Sequence, residues 1–196
     1  MTLSKIFFLI TLFFFNACGN IENSVTTKRD LGIPSDITLV LKAENVDMLQ
    51  AINAARAVAR DCNDGLGVVG PSRELRWNNE LYASAYEHSS DLAQSNTFSH
   101  SGSGTKYDIT GMNNGQRKSQ FFERIESNGY ANYYTLGENI AGGQSDINQA
   151  MEAWLDSPAH CTNIMNDKFE EVGIAVVIED NSDFGIYWTQ NFGAKL

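Results

Sequence analysis

The segment from Trp154 to Met165 constrains the fold more than any other part of the sequence. It joins two helical patterns, because Ser157 and Pro158 are typical of a helix N-cap and of the first residue of a new helix. His160 and Cys161 then fall in the first turn of that helix. Adjacent side chains on a helix diverge by about 100°. We therefore expect His160 to face a cleft while Cys161 fixes the helix to another part of the chain.

The N-terminus predicts export. Lys5 precedes the apolar run 6–15, which is too short to span a bilayer but suits a signal peptide, and Cys18 follows the small residue Ala17. A cysteine in that position resembles the acylated residue of a bacterial lipobox. We predict a signal peptide over residues 1–17, lipidation of Cys18, and a linker that extends to residue 44. The protein would be a membrane-anchored lipoprotein in the periplasm or on the cell surface, with ordinary secretion as the alternative.

Two cysteines remain if Cys18 carries lipid. In an exported protein, an even remainder favours a disulfide, here between Cys62 and Cys161, which would close a loop of about a hundred residues. The alternative is that both cysteines are metal ligands near His160. No CxxC spacing accompanies them, and both interpretations stay open on this evidence alone.

The composition fits one folded domain, which we place at residues 45–196. The net charge of −10 argues against a nucleic-acid partner, because binding to phosphates requires a basic face. No feature of the sequence points to a particular oligomeric state.

Hydrophobic spacing and turn signals divide this domain into helices at the start, with strands interleaved late in the chain. The helix capped by Asn78 carries His88 on its apolar face, as expected of a packed residue. With helices enough to cover both faces of a sheet, this order predicts an α+β three-layer sandwich. The predicted segments are helices over 46–62, 79–95, 119–129 (with Phe121, Phe122 and Ile125 facing inward), 147–155 and 158–165, a strand near 136–141, and an antiparallel hairpin of strands 171–178 and 185–192.

Two histidines and one glutamate stand in short motifs marked by glycine or proline. His100 lies in FSHSG, Glu138 in GENIAGG and His160 in SPAH. Two imidazoles and one carboxylate form a common ligand set for first-row metals. The glycines after His100 would let the backbone approach a ligand closely. Because the three residues are far apart in sequence, only the fold can bring them together.

Five motifs in this order resemble the CAP superfamily, the domains shared by cysteine-rich secretory proteins, antigen 5 and plant pathogenesis-related proteins. The resemblance covers residues 48–193 and is strongest to the bacterial branch. It implies an α-β-α sandwich with a central antiparallel sheet and a shallow cleft, and it supports the disulfide between Cys62 and Cys161. The motifs are FSHSG at 98–102, GENIAGG at 137–143, W-x-x-SPAHC-x-NIM at 154–165, EVGIAV at 171–176 and YWTQNFG at 187–193.

The resemblance also implies a cleft with two histidines and two acidic residues that often binds a divalent metal. His100, His160 and Glu138 match three of these positions, and zinc is the metal we expect. The second acid has no clear counterpart, and Asp156 is the nearest candidate. Ala159 stands where the family usually has glycine.

Three functional hypotheses follow from this pattern. In the first, a membrane-tethered binding module outside the cytoplasm holds a metal and a lipid, peptide or glycan in the cleft. In the second, the protein is a metal-dependent hydrolase of protease type with Glu138 as the general base. In the third, His100, Glu138 and His160 hydrogen-bond to one another in a structural domain whose cleft takes no ligand.

Overall fold

A computed structural model describes the backbone of residues 35–196 and the side chains of residues 45–196. The predicted signal peptide and Cys18 lie outside the described residues, as does most of the predicted linker. No helix in the described part of the chain is long and apolar enough to cross a membrane.

Six helices and six strands are interleaved along residues 35–196, and the two long strands of the hairpin come last. In chain order the elements are α1 (Ser35–Arg56), β1 (Arg60–Asp61), β2 (Val68–Val69), β3 (Arg76–Trp77), α2 (Asn79–Ser95), α3 (Ile109–Asn113), α4 (Phe121–Ser127), β4 (Tyr133–Gly142), α5 (Ile147–Asp156), α6 (Pro158–Met165), β5 (Glu171–Ile178) and β6 (Ile186–Lys195).

The main sheet has four strands in the order β3-β5-β6-β4. Strands β5 and β6 form the predicted antiparallel hairpin, and β4 adds to β6 in the antiparallel sense. Strand β3, which was not predicted, pairs with β5 in the parallel sense, so the expected antiparallel sheet carries one short parallel edge. Two residues are too few to show a strand periodicity, which explains why the sequence pattern missed β3.

Helices cover both faces of this sheet and confirm the three-layer α-β-α sandwich. Helices α1, α5 and α6 pack on one face, and α2 packs on the other with α4 beside it. The first layer buries chiefly Met48, Ile52, Met151, Trp154, Ile164, Val172, Ile174, Trp188 and Phe192. The second layer buries Leu81, Leu92, Ala93, Ile125, Tyr130, Ile140 and Tyr187.

Trp154 attaches α5 to the edge strand β4. Its side chain is fully buried, and its indole N–H donates to the backbone carbonyl of Ile140 at 3.0 Å. Strand β4 is the last strand of the sheet, so no strand of the described residues pairs with its outer side. This arrangement leaves the edge of the sheet accessible to residues that come from both helical layers.

Side-chain caps satisfy the N-termini of two of these helices, and the cap predicted at Asn78 is confirmed. The Asn78 side chain accepts from the backbone N–H groups of Glu80 and Leu81, and Asp146 caps α5 in the same way. Ser157 occupies the N-cap position of α6 and Pro158 is its first residue, but the Ser157 side chain makes no capping hydrogen bond.

The structure differs from the predictions in three helices, α1, α3 and α4. Helix α1 begins at Ser35, inside the predicted linker, and ends at Arg56, because Arg60–Asp61 pair with Val68–Val69 in a small hairpin. Phe122 is exposed rather than inward-facing, because α4 buries the face that carries Arg124 and Ile125. Helix α3 lies in a segment that showed no periodicity.

Cys62 and Cys161 form the predicted disulfide, and this pairing rules out the alternative that both are metal ligands. Both cysteines are buried in the first layer of the core. The bond connects the small hairpin to the first turn of α6, where His160 precedes Cys161. The expectation that Cys161 fixes this helix is therefore confirmed.

Replacement of Gly173 by alanine should destabilise the protein strongly. A Cβ atom at Gly173 would lie 2.0 Å from the backbone nitrogen of Tyr82, so α2 could no longer pack on β5 at its present distance. We expect a loss of about 3 kcal/mol or more in the free energy of unfolding, measured by urea denaturation. Ile178→Ala at the exposed end of the same strand is the control and should change it by less than about 0.5 kcal/mol. Equal effects of the two substitutions would contradict the close packing.

Removal of the disulfide should also destabilise the fold. The double variant Cys62→Ser/Cys161→Ser loses a cross-link between residues 99 apart in sequence, which we expect to lower the free energy of unfolding by about 2–5 kcal/mol. A reductant should lower the melting temperature of the wild-type protein towards that of the variant and leave the variant unchanged. A wild-type melt that does not respond to full reduction would show that the bond adds no stability.

Candidate binding cleft

The three predicted site residues meet at the edge of the sheet. His100 follows α2 on one face, His160 lies in the first turn of α6 on the other, and Glu138 lies between them on the edge strand β4. The ring centroids of the two histidines are 6.3 Å apart. Nδ1 of His100 lies 2.9 Å from Oε1 of Glu138. The fold thus brings together residues that are widely separated in the sequence.

The Glu138 carboxylate is buried and fully engaged. Its side chain is only 2% exposed, and Oε1 accepts from His100 Nδ1 while Oε2 accepts from Arg124 Nη2 at 2.8 Å. Asn191, opposite on β6, donates to Oε2 at 3.3 Å when its amide oxygen accepts from the backbone N–H of Ala85. Glu138 therefore acts as a hydrogen-bond acceptor inside the protein, with little of its surface turned towards solvent.

Arg124 is a part of this site that the sequence interpretation missed, and His88, which is buried as expected of a packed residue, also lies beside it. The Arg124 side chain is 1% exposed and also donates to the backbone carbonyl of His100 at 2.9 Å. The His88 side chain is fully buried, and its Nε2 lies 3.9 Å from Glu138 Oε1. Arg124 follows Phe121 by three residues on α4, so helical spacing placed this cation on the inward face. A charged residue on an apolar face was the signal that could have identified it.

The neighbours of Glu138 favour its ionised form. Burial acts to raise the pKa of this carboxyl group, but the charges of His88 and Arg124 and the hydrogen bonds from His100 and Arg124 outweigh it, so the pKa lies below its ordinary value. Of the two charged neighbours, Arg124 is the one in direct hydrogen-bond contact with the carboxylate, at 2.8 Å.

His88 is a neutral buried ring. Burial is the main cause that lowers its pKa to about 4, with Glu138 opposing the shift and Arg124 adding to it. Its Nε2 must carry the proton, because it donates to the carbonyl of Ser99 at 2.9 Å. Nδ1 has no hydrogen-bond partner among the described residues, so protonation there would bury an unpaired N–H group.

The backbone that carries His160 is held by buried amide side chains. Asn139 on β4 donates to the His160 carbonyl at 3.2 Å and to Gln190 at 2.9 Å, and Asn163 donates to Asn139 at 2.8 Å. Burial, with a further contribution from His100, lowers the pKa of His160, so its imidazole is neutral near pH 7. That imidazole makes no hydrogen bond with any residue the structure describes.

The loop that carries His100 is held by a second buried carboxylate. Asp108 accepts from the backbone N–H groups of Gly104, Gly111 and Ser119. A Cβ atom at Gly102 would lie 2.1 Å from an Asp108 carboxylate oxygen. The absent side chain of Gly102 thus makes room for Asp108, and a close approach of this backbone to a ligand stays a prediction.

Asp156 does not join this cluster through any described contact. It is the exposed last residue of α5 and makes no hydrogen bond or ion pair with residues 45–196. Its role as a second cleft acid stays a prediction. In the same part of the chain, no group of three or more His, Cys, Asp or Glu side chains is arranged to hold a metal ion.

Comparison with known proteins identifies the family. Residues 49–192, most of the chain, match the cysteine-rich secretory protein family, CAP. The chain belongs to the CAP family. Its CAP domain is 38% identical over 74 residues to the uncharacterized protein YkwD and 32% identical over 119 residues to the uncharacterized membrane protein YlbC, both of Bacillus subtilis. These matches cover 38% and 61% of this chain but only 26% and 28% of the relatives, so the CAP chain aligns with about a quarter of each relative's length.

Two solved CAP-like structures share the fold. An extracellular SCP-domain protein from Bacillus anthracis superposes with a TM-score of 0.59 at 22% identity, over 83% of this chain and 44% of that one. An outer surface protein of Borrelia burgdorferi gives a TM-score of 0.52 at 18% identity, over 83% of this chain and 95% of that one.

The stability of this CAP domain should fall as the pH decreases from 6.5 towards 4. The His88 ring has a lower pKa folded than unfolded, so the unfolded state takes up the proton first, and stability present above pH 6.5 is lost on acidification. We expect a loss of about 2 kcal/mol between pH 7 and pH 5, measured by urea unfolding. Glutamine does not titrate, so the His88→Gln variant should not show this loss in the free energy of unfolding. An equal loss in wild type and variant would contradict the assignment.

Proposed function

We propose that this protein is an exported, non-enzymatic binding module whose ligand engages the paired histidines of the cleft. One observation carries the proposal. Glu138 accepts from Nδ1 of His100, which leaves Nε2 of an imidazole that is 52% exposed outside any hydrogen bond with residues 45–196. This ring lies 6.3 Å from that of His160, so ring nitrogens of both histidines are available for one bound group.

Export is supported by the disulfide and by the relatives. Disulfides persist in oxidising compartments outside the cytoplasm, and the Cys62–Cys161 bond is buried in the core. One relative is named a membrane protein, and the two structural neighbours are an extracellular protein and an outer surface protein. With the predicted signal peptide, these names support an anchored lipoprotein with the acyl group on Cys18.

The residues of the cleft fit a divalent metal bound by two imidazoles. A histidine that ligates a metal usually donates its other ring N–H to a carboxylate, which is the arrangement of His100 and Glu138. Glu138 would support the ligand rather than be one, because both of its oxygens already accept hydrogen bonds. The metal ligands that we propose are therefore His100 and His160, without Glu138. A bound zinc ion would supply positive charge to attract a carboxylate, phosphate or carbonyl group of a peptide, lipid or glycan.

The geometry favours binding over hydrolysis. A general base needs access to the proton that it removes. The Glu138 side chain is 2% exposed, is paired with Arg124 and has a lowered pKa, so it is a poor base. A purely structural role is supported for His100 and Glu138, which hydrogen-bond directly, but the His160 imidazole takes no part in that network.

Zinc should stabilise the domain through the two histidines. At about 100 times its dissociation constant, a ligand adds about 2.7 kcal/mol, which raises the melting temperature of a domain of this size by roughly 5–10 °C. We expect this rise for the soluble domain 35–196 by calorimetry, and we expect His100→Ala and His160→Ala to abolish it.

Asp156→Ala is the matched control, because it removes an exposed carboxylate near α6 without touching either imidazole. It should keep the zinc response. Loss of the response in this variant would bring Asp156 into the site as the predicted second acid. A zinc response that survives removal of both histidines would contradict the proposed function.

A further inference from the structure

We propose that Arg124 is the positioning residue of the cleft, and that its guanidinium group sets which nitrogen of His100 faces a ligand. This inference rests on the proposed function and assigns a role to a residue outside the predicted set. Arg124 lies on α4, away from both histidine motifs, and its side chain is 1% exposed.

One nitrogen of Arg124 holds two different parts of the site. Nη2 donates to the backbone carbonyl of His100 at 2.9 Å and to Glu138 Oε2 at 2.8 Å. The first bond fixes the backbone from which the imidazole extends. The second fixes the carboxylate that accepts the hydrogen bond from His100 Nδ1. Arg124 thus holds both the backbone of His100 and the carboxylate that accepts from its ring.

The other terminal nitrogen anchors the guanidinium group itself. Nη1 donates to the Ser119 hydroxyl at 3.0 Å and to the Ser119 carbonyl at 3.3 Å. The Ser119 backbone is bound in turn to the His100 loop, because its carbonyl accepts from Gly102 N–H at 2.8 Å. The planar, multi-donor shape of arginine allows these contacts simultaneously, and a lysine ammonium group does not reproduce that geometry.

The consequence is a fixed orientation of the His100 ring. Nδ1 donates to Glu138, so Nε2 is the ring nitrogen that faces outward. Without the two hydrogen bonds from Arg124 Nη2, neither the backbone of His100 nor the carboxylate that accepts from Nδ1 is held in place, so this orientation is no longer selected. Arg124 therefore acts on the ligand through His100, not by contact with the ligand.

The test compares Arg124→Lys with Arg56→Lys. Arg56 is an equally buried arginine whose guanidinium group binds the carbonyls of Ile164 and Asn166 at the C-terminal end of α6, and it makes no hydrogen bond or ion pair with His100, Glu138 or His160. Nitrogen-15 NMR of the histidine rings reports the tautomer directly. We expect wild type and Arg56→Lys to show His100 with the proton on Nδ1, and Arg124→Lys to show a mixture of tautomers.

Zinc affinity gives the second measurement. Loss of an outer-shell partner typically weakens metal binding 10- to 100-fold, so Arg124→Lys should lower the zinc affinity about tenfold or more, while Arg56→Lys leaves it within about twofold. If Arg124→Lys does not fold, Ser119→Ala removes one anchor of the guanidinium group and should shift the tautomers in the same direction by a smaller amount.

The outcomes separate this inference from the proposed function. Absence of zinc binding in the wild-type protein would overturn the proposed metal cleft, and the NMR spectra would still decide the role of Arg124. If the tested Arg124 or Ser119 variant leaves the His100 tautomer unchanged, whatever its effect on stability, Arg124 is a structural residue only and the inference is wrong.

Discussion

The buried ion pair between Arg124 and Glu138 is the interaction on which the cleft depends. A carboxylate that is removed from water stays ionised only if a cation and hydrogen bonds replace its hydration. Arg124 supplies the cation, and His100 supplies a further hydrogen bond. Loss of one partner would leave an uncompensated buried charge, which typically costs several kcal/mol. The same contacts that satisfy Glu138 also orient His100, so the stability of the core and the geometry of the site are coupled.

The position of β4 at the edge of the sheet explains why a cleft forms there. Residues on alternating sides of this strand point to different helical layers, so Glu138 meets the layer of α2 and α4, and Asn139 meets α6. The loop after α2 brings His100 to this edge, and the first turn of α6 brings His160. The disulfide at Cys161 holds that turn in place. A pair of imidazoles thus results from two layers that meet over one strand.

Local signals in the sequence predicted most of the elements that depend on local interactions. The Asn78 cap, the β5–β6 hairpin and the chain order of the helices needed only neighbouring residues. Features that depend on distant partners were missed. Arg124 finds its acceptors on β4 and in the His100 loop, and β3 gains its strand conformation only from β5. The motifs located His100, Glu138 and His160, but the role of Glu138 required the position of Arg124.

The most direct measurement of this account is a carbon-13 NMR titration of the Glu138 side chain in the folded domain. Arg124 and the hydrogen bond from His100 favour the ionised form of this buried carboxylate. We therefore expect the carboxyl carbon signal of Glu138 to titrate below the ordinary value of 4.5, and the chemical shifts of the His100 ring to change over the same pH range. A Glu138 carboxyl group that titrates above 4.5 would show that burial outweighs the ion pair, and it would contradict the central claim.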